Sequence, residues 1–228
     1  MKLKLPLPTL LAARLTKCIP LCLAAFLVGC AAPPKPVDYT AFKESRPRSI
    51  LVLPPISNST DVDASNSVLA QATRPLAESG YYVLPVTLVS ETFKENGLTQ
   101  PTDMHGASVE KLRQIFGADA AMYITITKYG TSYRVVSSAT EVTAEAKLVD
   151  LRTGTQLWSG TASASSEEGQ NQQQGGILGA LVGAIVKQVM ASATDQSYKI
   201  AGVAAGRLLS TRPNGILAGP RSPNYGKD

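Results

Sequence analysis

The chain has 228 residues, a formal charge of +5 and 17% charged residues, and that charge is unevenly placed. Residues 1–29 hold four of the 22 basic side chains and none of the 17 acidic ones, which leaves 199 residues with 18 basic and 17 acidic groups. A near-neutral body gives no motive for nucleic-acid binding by a basic face. All three cysteines (Cys18, Cys22, Cys30) lie in the first thirty residues and His105 is the one histidine, so the body offers no disulfide framework, no cysteine metal cluster and poor material for a Ser-His-Asp triad.

The N-terminus has the order of a secretory signal: a basic segment from Lys2 to Lys17, an apolar run over residues 19–28 broken by Pro20, and a small-residue cleavage site. Ten apolar residues are too few to span a bilayer, which takes roughly 20. The run ends in Leu27-Val28-Gly29-Cys30, which resembles a bacterial lipobox. By that resemblance, cleavage falls between Gly29 and Cys30, and Cys30 becomes the diacylglyceryl-bearing, palmitate-type acylated N-terminus. The rival reading is an ordinary signal with an accidental cysteine. Ala31 stands where inner-membrane retention typically uses Asp, which points to the outer membrane. Ala32-Pro33-Pro34-Lys35-Pro36 is expected to be an extended tether.

In the body, Ser49-Ile-Leu-Val-Leu-Pro54 predicts a buried central strand stopped by Pro54-Pro55. A polar loop with Asn58, Asp61 and Asp63 follows. Val68, Leu69, Ala72 and Leu76 then recur at helical spacing up to Gly80, with Pro75 expected to kink or split the helix. Tyr81-Tyr-Val-Leu-Pro85 completes a right-handed βαβ unit with a parallel strand pair. Two short helices are expected near residues 88–96 and 108–116, the second capped by Ser108 with Leu112, Ile115 and Phe116 on one face. Residues 120–163 predict a three-stranded antiparallel meander: Met122, Ile124 and Ile126 alternate with polar neighbours, as do Val142, Ala144, Ala146 and Leu148. Asp150-Leu-Arg-Thr-Gly154 supplies the second turn. Residues 167–176 are low in complexity and are expected to form a mobile loop. Residues 177–190 are apolar with Gly179 and Gly183 four apart, which suits a core helix or an interface helix, with leaflet insertion a weaker reading. Residues 195–210 predict a last amphipathic helix. The Pro- and Gly-rich tail from Arg212 onward is expected to pack as an extended segment or to reach a partner.

Chemistry is thinly represented. His105, between Met104 and Gly106 in a polar loop, is a surface histidine by default and a catalytic one only by exception. Asp61 and Asp63 follow the first strand, where open α/β sheets bind ligands, but no calcium-loop spacing continues from them, so capping or solvated carboxylates is the better reading. Gly175-Gly176 with Gly179 and Gly183 lacks the Gly-Lys-Ser/Thr ending of a phosphate loop. Trp158 is expected to anchor a core or sheet face, an exposed hot spot being the alternative. Neither a cofactor nor a metal is implied.

The lipobox, Tyr39-Thr-Ala-Phe-Lys-Glu-Ser-Arg-Pro-Arg-Ser-Ile-Leu-Val-Leu-Pro-Pro, Pro75-Leu-Ala-Glu-Ser-Gly-Tyr-Tyr-Val-Leu-Pro-Val, Phe116-Gly-Ala-Asp-Ala and the Arg212-Pro-Asn-Gly tail form a specific set. On these motifs the chain resembles the lipoprotein family of unknown function typified by a neisserial genome-derived vaccine antigen, over essentially the whole mature length. The resemblance implies a mixed α/β domain similar to the N-terminal domain of the Tol-system periplasmic protein, an outer-membrane location, a homodimer, and company with a curli-secretion-channel-like lipoprotein. It carries over no catalytic residues.

The resulting expectation is a signal over residues 1–29, a lipidated tether over 30–47, one mixed α/β domain over 48–211 with about five strands flanked by helices, and a tail over 212–228. The expected function is a non-catalytic accessory lipoprotein of envelope transport, secretion or assembly, on the periplasmic face or the cell surface. Gly179, Gly183, Val186, Val189, Arg212, Asn214 and Tyr225 are its expected contact residues. A periplasmic small-ligand module with its mouth at residues 54–63 is the alternative, and an envelope hydrolase a third.

Overall fold

A computed structural model describes residues 37–133, 138–169 and 196–227, all within one compact unit, Val37–Asp228. In chain order the elements are α1 (Thr40–Ser45), β1 (Ser49–Val52), β2 (Ile56–Ser57), α2 (Ala64–Glu78), β3 (Tyr82–Val83), α3 (Val86–Glu95), α4 (Pro101–His105), α5 (Val109–Phe116), β4 (Ala120–Tyr133), β5 (Ser138–Asp150), β6 (Gln156–Ser165), a 3₁₀ turn (Ser166–Gly169) and α6 (Gln196–Leu209). The strands form one mixed sheet in the order β3-β1-β4-β5-β6, with β2 also paired to β4. The mixed α/β class expected from the sequence is the class observed.

β1 is central because both of its faces are greasy. Ile50 and Val52 enter one core while Leu51 and Leu53 enter the other. It runs parallel to β3, with Ser49 opposite Tyr82, and parallel to β4, with Ile50 opposite Ala120. β1–α2–β3 is therefore the predicted βαβ unit. Pro54 and Pro55 have no N–H to give the ladder, so pairing lapses there and resumes at β2, where Ile56 faces Thr125. β4, β5 and β6 form the predicted antiparallel meander, whose second turn is closed by Gly154 at φ +73°.

Four local expectations are corrected. α2 runs unbroken from Ala64 to Glu78 with Pro75 inside it. Pro75 leaves the Gln71 carbonyl without its N–H partner four residues on, and only three residues follow the proline before the helix stops. The end is closed by Ser79 N–H donating to the Pro75 carbonyl (3.0 Å) and Gly80 N–H to the Ala77 carbonyl (3.0 Å). Three helices, rather than two, lie between β3 and β4, because Pro101 starts an extra turn at its favoured first position. His105 consequently ends a helix and does not sit in a polar loop. In α5 the Ser108 cap forms, accepting from Lys111 N–H at 3.3 Å. Leu112 is buried and Phe116 packs beside it, whereas Ile115 is 51% exposed. The inward face follows the i, i+4 pair and leaves the i+3 residue at the rim.

The two faces of the sheet are covered unequally. α2, α6, Phe42 of α1 and Ile216 of the tail cover one face along β1, β4, β5 and β6. α3, α4 and α5 cover the other face only over β1 and the neighbouring ends of β4 and β5. Trp158 is in the first core, with its ring across Gly160 and its Nε1–H donating to the Asn214 carbonyl at 3.4 Å. It is an anchor of the sheet face and not an exposed hot spot.

The tail packs on the body through turns over residues 213–215 and 220–226 that flank a short extended stretch, and is not the extended segment expected throughout. Gly219 N–H donates to the Ser79 carbonyl (2.7 Å) and Arg221 N–H to the Gly80 carbonyl (3.1 Å). The hydroxyls of Tyr39 and Tyr81 donate to the carbonyls of Gly215 (2.6 Å) and Leu217 (2.7 Å). Gly80, at φ +96°, lets this backbone pass close over it, for a side chain there would run into Ser222.

Candidate functional site

The uncovered half of the second face forms a polar groove of about 590 Å³. Strand register builds it. Tyr123 stands opposite Lys147 and Lys147 opposite Ser159; one step along, Thr125 stands opposite Glu145 and Glu145 opposite Thr161. Side chains on one face of a strand recur every second residue, so these two cross-strand rows lie side by side. α4 closes one end of the groove by bringing in His105.

His105 is held by its surroundings. Its ring meets Tyr123 edge-on, with centroids 5.3 Å apart, and its Nε2 lies 3.0 Å from the Pro54 carbonyl oxygen. A carbonyl only accepts, which places the proton on Nε2 and leaves Nδ1 as the acceptor of the neutral ring. Burial pushes the His105 pKa below its ordinary value; the Pro54 hydrogen bond opposes this and the Lys147 charge reinforces it. Burial likewise raises the Tyr123 phenol. The Lys147 ammonium lies 5.1 Å from the Tyr123 ring centroid, a cation–π contact.

The groove therefore presents an ammonium, a carboxylate, a neutral imidazole and the hydroxyls of Thr125, Ser159 and Thr161. Such a set can hydrogen-bond a polar ligand. Among the described residues, neither a serine nor a threonine bonds to His105, and no three His, Cys, Asp or Glu side chains gather as a metal site. Asp61 and Asp63 do not join the groove. Both are exposed loop carboxylates; Asp61 accepts from the Asp63 N–H at 2.9 Å, and Asp63 precedes α2 without capping it through its side chain. The alternation in β4 and β5 made the facing of Tyr123, Lys147 and Glu145 readable, but their meeting with His105 depends on contacts far apart in the sequence.

A family model described as "Putative lipoprotein GNA1162-like" matches residues 37–221. The chain belongs to this family. The "Putative lipoprotein NMB1124/NMB1162" of Neisseria meningitidis serogroup B is 55% identical over 185 residues, spanning 81% of this chain and 85% of that protein. The crystal structure of lipoprotein GNA1162 from Neisseria meningitidis is similar at 52% identity and a TM-score of 0.52, covering 64% of this chain and 100% of that one. These GNA1162-like relatives are named as lipoproteins, and their names carry no enzymatic activity. The match begins at Val37, the first described residue.

In this GNA1162-like chain the expected cleavage, lipidation and contact residues fall in two groups. Gly29, Cys30, Gly179, Gly183, Val186 and Val189 lie outside the described residues. Arg212, Asn214 and Tyr225 lie in the tail; Arg212 and Tyr225 are exposed, and Asn214 adopts φ +59° while its carbonyl accepts from Trp158.

Proposed function

We propose that the protein is a lipid-anchored, non-catalytic accessory lipoprotein of the outer membrane, acting as a homodimer in envelope transport, secretion or assembly. The single observation that carries this reading is membership of a lipoprotein family in a chain whose residues 27–30 are Leu-Val-Gly-Cys. In it, residues 1–29 are removed and Cys30 bears the acyl chains. Two or more chains anchor stably, because each buried methylene contributes about 0.8 kcal/mol. Among the described residues no helix is long and apolar enough to cross a membrane, so attachment falls to the lipid. The tether is the stretch from Cys30 to Pro36, since α1 is already packed into the body through Phe42.

Self-association is supported by an apolar patch beside the short edge strand β3. Tyr82 and Leu88 are 47% and 65% exposed there, and they share a concavity with Leu84 and Phe116. Intact-mass measurement of the mature chain, with density-gradient fractionation of the envelope and light scattering in detergent, tests the reading. It predicts an acylated Cys30 N-terminus, outer-membrane fractions and a dimer. An unmodified N-terminus or a monomer would remove the corresponding part.

The polar groove favours one second reading, a small-ligand module with His105, Tyr123 and Lys147 in its wall rather than a mouth at residues 54–63. A ligand that raises the melting temperature of the wild type but not of Lys147→Ala would support it.

A further inference from the structure

α1 presents two chemically different sides. Glu44 and Ser45 turn toward Asp150 and Arg152. Lys43 and Arg46 turn the other way, onto a separate cavity of about 350 Å³ floored by Phe42, Tyr81 and Leu217. Among the described residues no carboxylate lines this cavity. Arg46 holds a left-handed conformation, φ +46°, which side-chain-bearing residues seldom adopt. Its Nε–H donates to the Lys43 carbonyl at 3.2 Å, and its terminal amino groups have no partner among the described residues. Tyr225 is 43% exposed at the rim. The site thus pairs a greasy floor with two cations, and α1 has placed its acidic residue on the other side.

Chain length says what this face meets. Seven residue steps separate Cys30 from Val37, a span of at most about 25 Å even when fully extended. A compact unit of this size is roughly 40 Å across. An acylated Cys30 therefore keeps the end of the body bearing Val37 and α1 close to the bilayer, and the far end cannot swing round to replace it. Basic side chains held that close are drawn to lipid phosphates, and a half-exposed tyrosine suits the headgroup level, where its ring is sheltered and its hydroxyl stays wet.

We propose that the cavity between α1 and the C-terminal tail is the membrane-docking face of the anchored body, with Lys43 and Arg46 meeting phosphates of anionic lipid and Tyr225 settling at the headgroup level. This inference rests on the lipid-anchor reading above. It gives the body a fixed orientation, in which the polar groove, on the opposite face of the sheet from α1, is turned away from the lipid.

The test uses the full chain, processed in a bacterial host and reconstituted into vesicles of phosphatidylethanolamine and phosphatidylglycerol. Beyond Cys30 the sequence has no other cysteine, so Tyr225→Cys or Glu145→Cys gives a single attachment point for a nitroxide label in the mature protein. The expected result is a several-fold lower collision rate with an aqueous nickel chelate for the label at position 225 than for that at 145. That protection should fall when Lys43 and Arg46 are both changed to Gln, and in vesicles of phosphatidylcholine alone. Equal accessibility of the two labels on acylated, sedimenting protein would overturn the docking face and leave the anchor standing. Protection unaltered by both the charge changes and the lipid change would overturn the role given to the phosphates. A mature chain without acyl mass would remove the anchor and this orientation together.

Discussion

Asp150 shows how one side chain ties distant parts of the fold together. Its carboxylate is buried at the start of the β5–β6 turn and accepts from Ser45 Oγ (2.5 Å), from the N–H groups of Arg152 (2.6 Å) and Thr153 (3.0 Å), and from Arg152 Nη2 (3.0 Å). Burial alone would raise its pKa, but the hydrogen bonds outweigh burial and hold it at about 2, against 3.8 for an unperturbed carboxyl. A carboxyl lowered on folding stabilises the protein above its unfolded pKa, and that contribution is lost as pH falls from about 4 through about 2. It amounts to about 2 kcal/mol. Urea denaturation at a series of pH values should show that loss in the wild type and a much flatter profile in Asp150→Asn, which should also be the less stable protein at pH 7. A second residue-scale prediction concerns Gly160. A β-carbon there would lie 2.5 Å from Trp158 Cζ2, so Gly160→Ala must displace the indole. It should lower stability by about 1–3 kcal/mol. The emission of Trp158, the only tryptophan in the chain, should shift as its packing changes.

Strand β6 ends the sheet, and a free strand edge invites pairing with other chains. Its C-terminal half is blocked. Arg207 of α6 donates to the Ser163 carbonyl at 2.7 Å, Glu168 accepts from the Ser165 N–H at 3.0 Å, and the two side chains pair with each other at 2.6 Å. Arg207→Ala should therefore release the edge, lower stability by about 1 kcal/mol and increase concentration-dependent aggregation, read by static light scattering during a thermal ramp. The tail makes a comparable prediction. Gly80→Ala combines an unfavourable φ with a collision against Ser222, so it should lower the melting temperature and raise proteolysis after Ser79 relative to a surface control. Much of this architecture was legible in the sequence, because it follows from local periodicity: the apolar run of β1, the alternation of Val142 to Leu148, the Ser108 cap and the turn at Gly154. Pro75 was misleading, because burial of Ala72, Pro75 and Leu76 holds the last turn against the core despite the hydrogen bond that the proline cannot make. α4 was missed because five residues are too short to display a period. The groove stayed hidden for another reason. Tyr123 and Lys147 meet through strand register, and His105 reaches them only because α4 packs over Leu51 and Leu53.

At the scale of the molecule, two unequal coverings of one sheet divide the work. The face under α2, α6 and the tail is sealed and supplies the larger core, while the other leaves its far half open and polar. Neither needs catalysis to be useful. In the proposed reading, a lipid anchor and one face turned to lipid would let the groove hold a partner at a set distance from the bilayer. Composition was informative about the body: the excess of positive charge belongs to residues 1–29, and the remaining 199 residues are near-neutral. The most direct measurement is fractionation of cells producing the wild type and Cys30→Ser, with washing of the membrane pellet in high salt. Wild-type protein should remain in the pellet and the variant should wash into the soluble fraction with its fold intact. A Cys30→Ser protein cleaved at the same bond and retained as firmly as the wild type would contradict the account.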